Sequence, residues 1–521
     1  MPHYSFAPPS GLPAALRSGS GRSSLKKPNR WLFVRRADRS SPPTRGEIDG
    51  DRKIERPPAQ AAWILSIAAL SFLLFPTAAF AHASDRGYVL LLPTGHYIAG
   101  GALAVAASFG VLWLVPTGAL GRLSRLRLAL AACLPDLRIA ASWISLAVLA
   151  LLVAAGWLGS RDPLSNPLPL VVWTLFWIGL TMLTGLVGNL FGWLDPWRGP
   201  ALLLGREKDT APSWLDRLGY VPAIVQFAAF AWFELIYPAP DDPARLAWAV
   251  SVFYLVNLAG VLAVGHTNWT ARSEPLSVFL RIVSKLAVLE RRDGRLALCL
   301  PGGKLAATEP LPVSGVLFLL LVLGSFSFDG LMRTFAWLGA IGVNPVEFPG
   351  RSAVMVENTA GLALVPALLA GAFFAAVWAG ERLSGEPAPL ARAAGTLVWS
   401  IAPITLAYHF AHYLIALLVN GQYALAAISD PFSRGWNLFG TADNYISAGL
   451  VMGPGAAWIL WNCQAGAIVL GHVLAVMLAH MLAERLHGKR SVAVRSQVPL
   501  TILMIAYTVF GLWLLSTPTG A

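Results

Sequence analysis

Four histidines lie in apolar stretches. AYHFAHY (Ala407 to Tyr413) sets His409 and His412 three residues apart, so both rings leave a helix from nearly one face. GHVLAVMLAH (Gly471 to His480) carries His472 and His480 eight residues apart, which is about 80° round a helix. Ionisable side chains at membrane depth are costly, so they face a packed interior or a wet cavity and often mark function. Imidazole with carboxylate is the ligand set for Zn²⁺ or a similar divalent transition metal.

The elements that must hold these residues follow from composition. Of 521 residues 56% are hydrophobic and 13% charged, and mean hydropathy is +0.60, which excludes a water-soluble enzyme. Apolar stretches long enough to cross the hydrocarbon core recur along the chain. The expected fold class is all-α, a polytopic transmembrane helical bundle of about ten spans after a signal-peptide-like segment. The spans are expected near 96–115, 139–158, 168–192, 218–237, 244–265, 311–328, 359–380, 393–419, 456–484 and 498–516.

Arg and Lys collect in the connections after the first, third, fifth, seventh and ninth spans, whereas alternate connections such as YPAPDDP (Tyr237 to Pro243) are poorer in base. By the positive-inside rule the basic connections are cytoplasmic, and the setting expected is a bacterial inner membrane. The net charge of +12 therefore calls for no nucleic acid, since the first sixty residues alone contribute +7 and short loops hold the rest. Three dispersed cysteines form no CxxC, so neither a disulfide framework nor a thiolate metal site is indicated.

Residues 1–60 read as a disordered basic cytoplasmic tail, and 61–81 as a signal peptide or an uncleaved first helix ending in Ala79-Phe80-Ala81. Cleavage there would leave His82 at a new terminus, where its amine and imidazole together can chelate copper. The integral membrane domain covers 82–521, with an inner loop at 266–310 whose amphipathic stretch, LSVFLRIVSKLAVLERRDGR, is expected to lie on the membrane surface.

Depth selects the histidines that can meet. His412 lies about 10 Å below the outer end of its span and His472 at a similar depth, with His480 roughly 12 Å further in. His409, His412 and His472 are thus expected to share one outward-facing site. His96 opens the first span, Asp329 closes the sixth in SFSFDG, and Glu234 ends the fourth. Asp430, Arg434, Trp436 and Asp443 come from the connection before the ninth span, where Asp430 before Pro431 also reads as a turn-builder. His96, His412 and His472 are the candidate metal ligands, and Asp329, His409 and Asp430 the candidate catalytic groups. A b-type haem on two helix-borne histidines is not favoured. No Walker A loop, GxGxxG, GxSxG elbow or HExxH occurs, which removes support for nucleotide-driven work and the familiar hydrolases.

Several longer motifs are distinctive: GNLFGWLDPWRGP (Gly188 to Pro200), FAWFELIYPAPDDP (Phe230 to Pro243), DGRLAL (Asp293 to Leu298), SFSFDG (Ser325 to Gly330) and DPFSRGWNLFGTAD (Asp430 to Asp443). With the two histidine motifs, this set resembles a bacterial family of membrane proteins catalogued as fenitrothion hydrolases, from about His82 through the ninth span. The resemblance implies hydrolysis of organophosphorus triesters, small apolar substrates that partition into the lipid bilayer. It brings no catalytic residue assignment, and the His-x-His motif of soluble phosphotriesterases is lacking. Two functions are therefore expected: a membrane hydrolase with metal-activated water, or a transporter or metal-handling permease using the same histidines.

Overall fold

The computed structural model describes residues 92–519 apart from 133–135, 208–211, 293–294, 448 and 450. The expected tail, the signal-like segment and His82 lie outside the described residues. Among the described residues nine helical segments are long and apolar enough to cross a membrane. They are α1 (Thr94–Leu112), α2 (Arg138–Leu158), α3 (Pro167–Val187), α5 (Pro243–Val264), α8 (Val313–Leu331), α9 (Arg351–Ser384), α10 (Leu390–Ser429), α11 (Pro454–His487) and α12 (Arg490–Ser516). The expected fourth span is shorter, α4 (Val221–Leu235), with 15 residues. Between α5 and α8 lie two short helices, α6 (His266–Arg272) and α7 (Pro275–Val283). The chain is a multi-pass membrane protein, and Leu103, Leu158, Leu368, Leu470 and Ile502 on its helices turn apolar surface outward to lipid.

Local signals start the helices where the sequence supplies them. Asn166 accepts from the Leu168 N–H ahead of Pro167, and Asp242 accepts from the Arg245 N–H ahead of Pro243, a polar cap followed by proline in both cases. The centre of α3, Leu170–Leu180, is wound as a π-helix. Glycines let neighbouring helices approach closely where no hydrophobic force separates helix from lipid. A Cβ on Gly471 of α11 would stand 2.5 Å from the Ala407 Cβ of α10, and one on Gly380 of α9 would collide with the Ser496 carbonyl of α12.

Among the described residues the departure from an all-helical fold is a small antiparallel sheet of β1 (Arg127–Ala132), β2 (Leu289–Arg292) and β3 (Arg295–Cys299), with β3 central. Its second strand comes from the stretch expected to lie on the membrane surface, and its third follows directly in the same inner loop. The rest of that stretch corrects the expectation further. Leu276, Val278, Phe279, Leu280, Ile282 and Val283 of α7 are all buried, and Phe279 packs 5.6 Å from Trp177 of α3 and 6.2 Å from Phe326 of α8. The apolar face of α7 is covered by protein rather than lipid.

Candidate functional site: a buried histidine, carboxyl and phenol chain

The polar centre assembles at the end of the bundle away from the arginine-rich connections. Asp329 sits in the last turn of α8 and is 1% exposed. Its Oδ2 accepts from Nε2 of His412 at 2.7 Å and from the Tyr413 hydroxyl at 2.9 Å, both on α10. The carboxylate takes the Nε2 hydrogen, so the ring's free lone pair is on Nδ1. The His412 side chain is 29% exposed, so it joins the buried carboxylate to the outside. Arg333, one turn beyond Asp329, brings Nη2 to 3.6 Å from Oδ1, a charge contact too long to be a hydrogen bond.

Tyr413 links this pair to a second acid. Its hydroxyl lies 3.0 Å from Oε1 of Glu234, in the last turn of α4. Arg351, the first residue of α9, donates to the Glu234 carbonyl at 3.0 Å and to the Tyr237 carbonyl at 3.3 Å, and so closes the C-terminal end of α4 with a cation. The chain runs His412, Asp329, Tyr413, Glu234, drawn from three helices and flanked by two arginines.

His409 lies beneath the chain but outside it. Its Nε2 donates to the Trp177 carbonyl in the π-wound part of α3 at 3.0 Å, and its ring is enclosed by Trp177, Phe326 and Tyr413 with centroids 5.2, 5.0 and 4.9 Å away. His472 is turned along its own helix, where Nδ1 donates to the Ile468 carbonyl at 2.8 Å and the ring faces Tyr408 and Tyr507. The expected meeting of His409, His412 and His472 therefore does not occur. Similar depth placed them in one layer, but the directions in which their side chains leave α10 and α11 separate them.

The remaining expected residues are also apart. His96 is exposed in the first turn of α1, a helix packed on α11 and α12. Asp430 ends α10 and accepts from the N–H groups of Arg434 and Gly435, making the turn in which Ser433 takes φ 53°. Its role is the turn-building one. Asp443 accepts a long 3.4 Å contact from Asn437 in the same connection. Among the described residues no group of three or more His, Cys, Asp or Glu side chains is placed to hold a metal ion. The donor set of His96, His412 and His472 thus does not fit a metal centre, and His412 spends its Nε2 on Asp329.

Sequence reasoning missed Tyr413, Arg333 and Arg351. It also missed a second buried pair, Asp195 and His266, at the basic end of the bundle. Tyr413 stood inside a motif already singled out, and its adjacency to His412 was the available signal. No family model matches the chain, and neither a curated protein nor a solved structure matches it.

Proposed function

We propose that the chain is a membrane-embedded hydrolase in which His412, oriented by Asp329, activates water against an apolar ester, organophosphorus triesters being the class its motifs suggest. The observation carrying this reading is the 2.7 Å bond between a partly exposed imidazole and a fully buried carboxylate. In the step, water oxygen bonds to phosphorus, its proton passes to Nδ1 of His412, and the P–O bond to the phenol breaks as the nitrophenolate leaves. Asp329 holds the ring and stabilises the imidazolium that forms. Arg333 supplies positive charge for the phosphoryl oxygen, or the thiophosphoryl sulfur of fenitrothion. No bound metal enters this step, which replaces the metal-activated water of the sequence reading. The positive-inside pattern supports a periplasmic position for the dyad in a bacterial inner membrane, within reach of substrate dissolved in the outer leaflet.

The test is release of nitrophenol from fenitrothion by detergent-purified protein before and after exhaustive chelation. Saturable turnover that survives chelation supports the reading. Turnover abolished by chelation and restored by Zn²⁺ sinks the dyad mechanism.

A second reading, a proton-coupled permease, is favoured by a specific feature: Tyr413 ties two carboxyl groups into one proton-holding chain. It predicts solute-dependent proton flux in liposomes and no turnover.

A further inference from the structure

A second polar centre, distant from the dyad, lies where α2 starts and α5 ends. His266, the first residue of α6, places Nε2 2.5 Å from Oδ2 of Asp195, with the side chains 6% and 7% exposed. The other oxygen of Asp195 accepts from the Trp197 N–H at 2.9 Å, so both oxygens of this carboxylate are engaged. The opposite ring nitrogen, Nδ1 of His266, is buried and has no hydrogen-bond partner. It faces no protein acceptor or donor although a buried polar atom normally finds one.

The pair lines a cavity of about 230 Å³ together with Arg138, Arg198 and Arg281. The Nε atoms of Arg138 and Arg198 are also buried and unpartnered. Their nearest carboxylates, on Asp136 and Glu207, stand at 3.6 and 3.9 Å, ion-pair distances without a hydrogen bond. Arg281 is fixed by donating to the Thr270 carbonyl at 3.0 Å and to the Ala271 carbonyl, and Arg138 lies 5.4 Å over the Trp193 ring. Three guanidinium groups thus line the cavity beside Asp195, with Arg281 and Arg138 held in place and Arg138 and Arg198 reaching Asp136 and Glu207 only at ion-pair distance. What completes such a cavity is a compact anion with several acceptor oxygens, and guanidinium matches the tetrahedral phosphoryl group best.

We infer that this cavity is a binding site for a phosphate monoester or inorganic phosphate, held by Arg138, Arg198 and Arg281 with His266 Nδ1 as a further hydrogen-bond partner. The phosphoryl group comes either from solution or from an anionic lipid headgroup, since the cavity lies at the basic end of the bundle. This site is separate from the His412 dyad and stands or falls independently of the hydrolase reading.

The experiment is calorimetric titration of the detergent-purified full chain with inorganic phosphate, repeated in nanodiscs of phosphatidylcholine and of phosphatidylcholine with phosphatidic acid. The expected result is one saturable site, weakened about tenfold or more by Arg198→Gln and partly regained by Arg198→Lys. Phosphatidic acid abolishing the phosphate titration identifies the lipid as the source, and an unaltered titration identifies soluble phosphate. Where Arg198→Gln lowers the melting temperature, Arg138→Gln on a different helix replaces it. No saturable binding in detergent or in phosphatidylcholine discs overturns the site, as does equal affinity in wild type and in whichever arginine variant keeps the wild-type melting temperature.

Discussion

A phenol has one hydrogen to donate, and Tyr413 stands within hydrogen-bond distance of two carboxyl groups. One hydrogen serves both contacts poorly, so the arrangement favours one of the two acids keeping a proton and giving it to the phenol oxygen. Tyr413→Phe removes the bridge and leaves two buried acids facing each other. We expect it to lower stability by about 1–3 kcal/mol, read as a drop in melting temperature, and to slow turnover while Tyr408→Phe, remote from the chain, leaves the rate alone.

Glu274 makes a separate prediction. Burial pushes its carboxyl up to about 7, against the two backbone N–H groups of Leu276 and Ser277 that it caps. A carboxyl with a raised folded-state value binds its proton more tightly when folded, so stability is full below about 4.5 and falls as pH rises to about 7. Melting temperature should decline across that window in wild type and stay flat there in Glu274→Gln.

These residues also show what the sequence could and could not disclose. His412 and Asp329 were legible because ionisable residues at depth are rare enough to notice. The failure of His472 to join them was not legible, because residue spacing gives depth along a helix while the azimuth of α11 against α10 is decided by side-chain packing around Gly471 and Ala407. Tyr413 went unnoticed because a search confined to His, Asp and Glu passes over a phenol.

At the scale of the element, nine of the ten expected spans were readable from hydropathy, and the tenth corresponds to the shorter helix α4, since apolar length is a property of the local sequence. The segment from 266 to 310 was misread. Its periodicity showed an apolar face but not what covers that face, and a lipid surface and a protein groove ask for the same pattern. In the structure Phe279 is part of the same aromatic packing as Trp177 and Phe326, which encloses His409. Phe279→Ala should therefore cost about 3–5 kcal/mol, as for a buried core aromatic, whereas a residue merely resting on lipid would cost little. The close helix crossings carry a matching expectation. Gly380→Leu forces a side chain onto the Ser496 carbonyl, so it should sharply reduce the yield of folded protein in detergent, measured by fluorescence-detected gel filtration.

At the scale of the molecule, two polar centres occupy opposite ends of an apolar bundle: the His412 chain at one, and the Asp195 and His266 pair beside the arginine-rich connections at the other. In the proposed topology the second end faces the cytoplasm. Val346 is 82% exposed in the connection between α8 and α9, and Ser491 is exposed at the start of α12. With the native cysteines replaced by serine, Val346→Cys should react with a membrane-impermeant maleimide on intact spheroplasts, and Ser491→Cys only after permeabilisation. The reverse labelling would put the dyad in the cytoplasm.

The central claim is that His412, steered by Asp329, is the base. The most direct measurement is the turnover number of purified protein on fenitrothion for wild type, His412→Ala and Asp329→Asn, each checked for an unchanged melting profile. The account predicts that His412→Ala loses about 10²–10⁴-fold in rate, with Asp329→Asn reduced in the same direction and KM little changed. A folded His412→Ala protein that hydrolyses fenitrothion at the wild-type rate would contradict it.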